Sequence, residues 1–119
     1  MKIKHFKLSE FDCPTLPNSG VNMDLEFVTL LDNLRSRCGF PIVVNSGFRT
    51  KEHNKKIGGK SNSSHLRGLA VDIRVVGNFE RFCIIKHAIA LKVNRIGVYK
   101  TFIHLDVDKS LPPNVIWYE

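Results

Sequence analysis

Apolar and polar side chains alternate with a period of two in two stretches of this chain, and recur with a helical period in two others. Leu69, Val71, Ile73 and Val75 fall on one side of an extended segment, with Ala70, Asp72 and Arg74 on the other, which predicts a strand over 69–75. The same alternation returns from Thr101 to Val107. There Ile103, Leu105 and Val107 share the core side, and Phe102, His104 and Asp106 share the opposite side. Pro41 to Asn45 is a short apolar run with adjacent valines and predicts a further strand, as does Arg95 to Tyr99. Lys100 alone separates the last two strands, so they are expected to pair as a hairpin.

The first helical stretch runs from about Met23 to Cys38. Phe27, Leu30, Leu31, Leu34 and Cys38 form its core stripe, Asn22 or Asp24 can cap it, and Gly39 stops it. The second runs from a cap at Asn78 to about Lys92, with Phe79, Phe82, Cys83, Ile85, Ile89 and Ala90 expected to face the core. Thr50 can cap a short helix to about Ile57, stopped by Gly58 and Gly59. Residues 11–21, with Pro14, Pro17, Asn18 and Gly20, read as an irregular loop. The pattern predicts an α+β fold: a small, mostly antiparallel sheet, helices packed on one side, and a cleft on the other.

With 119 residues, 43% of them hydrophobic, the chain can build one core, and a single domain over 1–119 is expected. No apolar run approaches the length that spans a bilayer. The segment Met1 to Lys7 carries positive charge but no apolar stretch or small-residue cleavage site, so it does not read as a secretory signal. On this reading the chain is cytoplasmic as synthesised, acts on its target only if released, and is a monomer. Cys13, Cys38 and Cys83 are odd in number and widely spaced, which predicts free thiols. The net charge of +7 favours polyanionic partners. Its carriers, such as Lys51, Lys55, Lys56, Lys60 and Arg67, are dispersed, and no Arg-rich arm or RNA-binding aromatic motif is present, so nucleic acid is not expected.

Two couples carry candidate chemistry. His65 and Asp72 stand seven residues apart around Gly68 and Ala70, and His104 and Asp106 share one face of the last predicted strand. Two imidazoles and two carboxylates suffice for a zinc ion that keeps an open position, since catalytic zinc takes three protein ligands plus water. His5, His53 and His87 lie outside such couples and read as surface or hydrogen-bonded residues.

The segment Ser63, His65, Gly68, Ala70 and Asp72 matches S-x-H-x-x-G-x-A-x-D in full. Ser46 to Thr50 matches S-G-[YF]-R-[ST]; Asn54 with Ile57, Gly58 and Gly59 matches N-x-x-[IV]-G-G; Phe102 to Asp106 matches F-[IV]-H-[VL]-D. In these motifs the chain resembles the M15 family of zinc D-Ala-D-Ala carboxypeptidases and murein endopeptidases, which includes phage endolysins, over roughly residues 6 to 118. The resemblance implies zinc held by His65, Asp72 and His104. It also implies hydrolysis of peptide bonds in peptidoglycan stem peptides, with a D-Ala-D-Ala carboxypeptidase expected first. An endolysin-type L-Ala-D-Glu endopeptidase is the alternative, as is a cell-wall binding module that keeps zinc without catalysis. For a cell-wall enzyme, the positive charge fits attraction to anionic envelope polymers. Relatives use the arginine of this motif on the substrate, which Arg49 matches; otherwise it is a surface ion-pair residue. Ser63 is expected to contact the substrate or to cap the chain locally.

Asp106 has three readings: a group that orients a ligand imidazole, the general base of the reaction, or a solvated strand-end carboxylate. Many relatives carry a glutamate shortly before the third ligand, whereas residues 100–103 here are Lys, Thr, Phe and Ile. Asp106 is therefore expected to be the catalytic acid–base, together with Arg49.

Overall fold

Strict alternation requires a surface to bury one face against; the two alternating segments pair side by side, and helices cover the apolar face they share. The computed structural model describes residues 2–119, with Met1 outside them. Five strands form one sheet: β1 (Val43–Ser46), β2 (Ala70–Arg74), β3 (Arg95–Val98), β4 (Phe102–Asp106) and β5 (Val115–Tyr118). Their order is β1-β2-β4-β3-β5, so the two alternating strands lie side by side near the centre. All neighbours are antiparallel except β3 and β5, which are parallel. The β3–β4 hairpin expected from Lys100 is present.

Helices α1 (Leu25–Cys38) and α3 (Asn78–Ala90) cover one face of the sheet; a short α2 (Lys51–Lys56) follows β1. Phe27, Val28, Leu31 and Leu34 of α1 pack with Ile84 and Ala88 of α3 over Val71, Ile73, Ile96, Ile103 and Leu105 of the sheet. Asp24 caps α1 by accepting from the Phe27 N–H, and Gly39 closes it at a φ of 74°. Thr50 caps α2 through the His53 N–H. The α+β architecture, with helices on one side, is as the pattern predicts.

Four details differ from it. The outward face of α3 is not the expected one: Phe79, Phe82 and Ile89 are exposed, and Ile84 and Ala88 are the residues buried beneath. Asn78 is the first residue of that helix rather than its cap, and Gly77 occupies the cap position with no side-chain bond. Single 3-10 turns at Leu8–Phe11 and Ser19–Asn22 take up the two ends of the 11–21 loop. Finally, β5 was not anticipated. It follows two prolines and joins β3 in parallel, so no tight turn announces it.

All three cysteines are free thiols, as expected. Burial, and then the nearby Cys83, push the Cys38 thiol up to about 11, which leaves it unreactive at neutral pH. No helix among the described residues is long and apolar enough to cross a membrane.

Candidate metal centre

The register of the central strands builds the site. Asp72 on β2 stands directly opposite His104 on β4, and Ser46 at the end of β1 flanks Asp72 on its other side. Because side chains alternate, Asp72 and His104 project from the face that the helices leave bare. His65 reaches the same point from a 3-10 turn, Ser64–Arg67, that precedes β2. Gly68 makes this entry possible. It sits at a φ of 68°, and a Cβ there would lie 2.3 Å from the Asn22 carbonyl oxygen. Only glycine takes that conformation without strain and permits that approach.

Each imidazole has one nitrogen committed and the other aimed at Asp72. His65 Nδ1–H donates to the Gly47 carbonyl at 2.8 Å, which turns Nε2 toward Asp72 Oδ1 at 3.4 Å. His104 Nε2–H donates to Asp106 Oδ2 at 2.7 Å, which leaves Nδ1 facing the same Asp72 oxygen at 3.0 Å. His65, Asp72 and His104 form the one group of metal-capable donors found among the described residues, with ligand atoms within 4.8 Å of one another. Ligands bound to zinc at 2.0–2.2 Å in a tetrahedron stand about 3.3–3.6 Å apart. The observed spacings lie close to that edge length, and two nitrogens plus a carboxylate oxygen are a catalytic zinc set. The residues present therefore fit a zinc ion. The carbonyl and carboxylate behind the two imidazoles supply the outer hydrogen bonds that metal-binding histidines require.

Electrostatics reinforce this. Burial favours the neutral acid at Asp72, but the adjacent His104 and His65 rings outweigh it and hold the carboxyl well below its ordinary range. Burial opposes charge on His104, yet Asp106 and Asp72 push its pKa up. A site that attracts a proton to the Nδ1 lone pair of His104 attracts a metal cation to the same lone pair.

Arg49 leaves the end of β1 and is held at three points. Its Nε donates to Ser46 Oγ at 3.1 Å, Nη1 to Asn54 Oδ1 at 3.2 Å, and Nη2 to Asp72 Oδ2 at 3.3 Å. Burial lowers its pKa and Asp72 raises it in part, but a guanidinium stays charged at any working pH. The flanking motifs thus have structural work. Buried Asn54 holds Arg49 with its oxygen and the Lys60 carbonyl with its amide, and a Cβ on Gly59 would lie 2.0 Å from Asn54 Oδ1. Ser63 accepts from the His65 N–H at 3.3 Å and caps the turn that carries this ligand.

Asp106 is 1% exposed, and both of its oxygens are engaged. Oδ2 takes His104, while Oδ1 accepts from Arg95 Nε at 2.8 Å and from the Asp108 N–H at 3.1 Å. A proton acceptor for water must reach that water, and this carboxylate lies behind the imidazole instead.

Three residues that the pattern did not single out complete the surroundings. Arg95 ties Asp106 to the Pro112 carbonyl and lies over the Trp117 ring at 5.4 Å from its centre. Trp117 covers Gly97, where a Cβ would come within 2.6 Å of the indole, and stands 5.4 Å from the His104 ring. Buried Asp108 accepts from Ser64 Oγ at 2.6 Å, from Ser110 and from Arg67, so it clamps the His65 turn to the end of β4. Burial raises the pKa of Asp108, but these donors outweigh it and hold the carboxyl well below its ordinary range. A carboxylate two residues beyond Asp106, just past the alternating segment, was the only available signal for it.

No curated protein sequence matches the chain significantly. The family model described as Peptidase M15 matches residues 4–106, a span that contains Arg49, the His65 turn and both central strands. With most of its length matched and the three donors converging where those strands meet, the chain belongs to the Peptidase M15 family.

Proposed function

We propose that this chain is a zinc-dependent peptidase that hydrolyses a peptide bond in peptidoglycan stem peptides. The observation that carries the reading is the convergence of ligand atoms of His65, His104 and Asp72 within 4.8 Å of one another, both ring nitrogens facing Asp72 Oδ1 at 3.4 and 3.0 Å, with each imidazole fixed from behind. Zinc held there supplies a Lewis acid for the scissile carbonyl and makes water a nucleophile near neutral pH.

The chain's own residues do the rest. Gly47 and Asp106 hold the two imidazoles in the tautomers that present a lone pair to the ion. Asp106 acts through His104 on this reading, as a positioning group. Arg49 places a permanent cation beside Asp72, where it can bind a substrate carboxylate or stabilise a developing oxyanion. Ser63 supports the His65 turn and stands next to it as a candidate contact for the peptide.

A fixed guanidinium beside the metal centre suits a substrate that ends in a carboxylate. We therefore carry forward D-Ala-D-Ala carboxypeptidase action, by a monomer that reaches the wall after release. Purified peptidoglycan digested with the zinc-loaded protein, with and without chelator, tests the reading by mass spectrometry. Chelator-sensitive loss of one alanine residue from the stem is expected. New termini between L-Ala and D-Glu would assign the endopeptidase instead. Unchanged muropeptides, with protein bound to the wall, would leave a binding module.

A further inference from the structure

Helix α3 turns the wrong face to solvent for a free-standing surface helix. At about 100° per residue, Phe79, Phe82, Lys86 and Ile89 fall within one arc of about 80°. Phe79 is 69% exposed, Phe82 63% and Ile89 52%. The arc is not a spare core face, because Ile84 and Ala88 on the opposite side already fill the contact with α1 and the sheet. It continues beyond the helix. Ile89 shares a groove of about 390 Å³ with Ile116 of the edge strand β5, and Ile116 is 57% exposed. Exposed large apolar side chains grouped in this way mark an interaction surface.

The charges on this face have one sign. Lys86 stands inside the apolar arc and Lys92 lines the groove, both exposed. The single acid of α3, Glu80, lies about 100° of helical rotation beyond Phe79 and outside the arc. Aromatic and aliphatic side chains interleaved with lysine on a helix that lies flat are what an anionic bilayer interface takes up. A second copy suits it less. A two-fold contact would bring this lysine-bearing face against itself, with no acid in the arc to pair with it, in a chain that already carries +7.

We propose that the outward face of α3, with the Ile89–Ile116 groove, is a docking surface for anionic phospholipid membranes. The apolar residues enter the headgroup boundary, and Lys86 and Lys92 meet the anionic headgroups. Because α3 packs on the side of the sheet opposite His65, Asp72 and His104, a docked protein keeps that centre facing away from the bilayer.

The test is co-flotation of the zinc-loaded protein with phosphatidylcholine vesicles and with vesicles containing phosphatidylglycerol, at low and high salt. Binding to the anionic vesicles, weakened by salt and absent on phosphatidylcholine alone, is expected. The double variant Phe79→Ser/Phe82→Ser should lose at least about tenfold in partitioning, since each removes a side chain from the apolar boundary. Lys86→Glu should weaken binding to anionic vesicles alone. Both variants should keep wild-type zinc content and thermal stability, because the altered residues are exposed and far from the core. The proposal is overturned if wild-type protein does not float with anionic vesicles, or if the double variant floats equally well. It is also overturned if sedimentation shows a dimer that the double variant dissolves, since a second copy would then occupy the face.

Discussion

Replacing Asp106 by asparagine separates an orienting carboxylate from a proton-accepting one. In the wild type, Asp106 accepts from His104 Nε2 at 2.7 Å, Arg95 Nε at 2.8 Å and the Asp108 N–H at 3.1 Å, in a site that is 1% exposed. An asparagine has one acceptor oxygen and a donor amide. If its oxygen serves Arg95 and Asp108, its NH₂ faces the imidazole N–H, and the imidazole must change tautomer or rotate. If the oxygen serves His104, the amide NH₂ faces the half-buried Arg95 guanidinium and the Asp108 N–H, donor against donor. Either way a buried donor is left unpaired, at a cost of about 1–3 kcal/mol or more. Loss of such an outer hydrogen bond typically weakens metal binding by about 10–100-fold, or about 1.4–2.8 kcal/mol. Competition with a chromophoric chelator measures the zinc Kd, and kcat is then read with the site saturated. The account predicts a weaker Kd and a kcat that largely recovers at saturating zinc. An unchanged Kd with kcat lowered about 10²–10⁴-fold would refute it and return Asp106 to the role of general acid–base.

Three further outcomes follow from particular contacts. Gly68→Ala combines a left-handed conformation, which costs a non-glycine residue about 1–2 kcal/mol, with a Cβ 2.3 Å from the Asn22 oxygen. Its melting temperature should fall by about 10 °C in a domain of this size, and an unchanged value would disprove the constraint. Asp108→Asn tests acid stability. A carboxyl whose folded pKa is lowered contributes stability above its ordinary value of about 3.9, and that contribution is lost as pH falls through the folded value. Denaturation at several pH values should therefore show the variant less stable than wild type at neutral pH, with the gap closing below about pH 4. On the proposed reading, in which the Arg49 charge acts on the substrate, Arg49→Ala should lower kcat/KM by about 10²-fold while zinc binding persists; loss of zinc would instead make Arg49, which contacts Asp72, part of the metal centre.

The site was legible because its carriers obey simple periodicity. Alternation in 69–75 and 101–107 puts Asp72 and His104 on the face away from Ile73 and Ile103, and pairing those strands does the rest. The α3 face was misread for a physical reason. Periodicity reports that Phe79, Phe82 and Ile89 share a side, but not whether that side meets the core or a partner. The strand β5 escaped because its parallel partner lies across a connection without a hairpin turn. The proposed role of Asp106 rests on its burial and on Arg95 and Asp108, which engage the oxygen that His104 leaves free. Sequence spacing shows that a carboxylate is near an imidazole; it does not show whether the carboxylate has a lone pair to spare.

The most direct test of the metal centre is anomalous diffraction at the zinc edge from crystals grown with equimolar zinc. The account predicts one strong peak per chain, about 2.0–2.2 Å from His65 Nε2, His104 Nδ1 and an oxygen of Asp72, and its loss in His65→Ala. A peak coordinated elsewhere, or none in a fully ordered site, would contradict it.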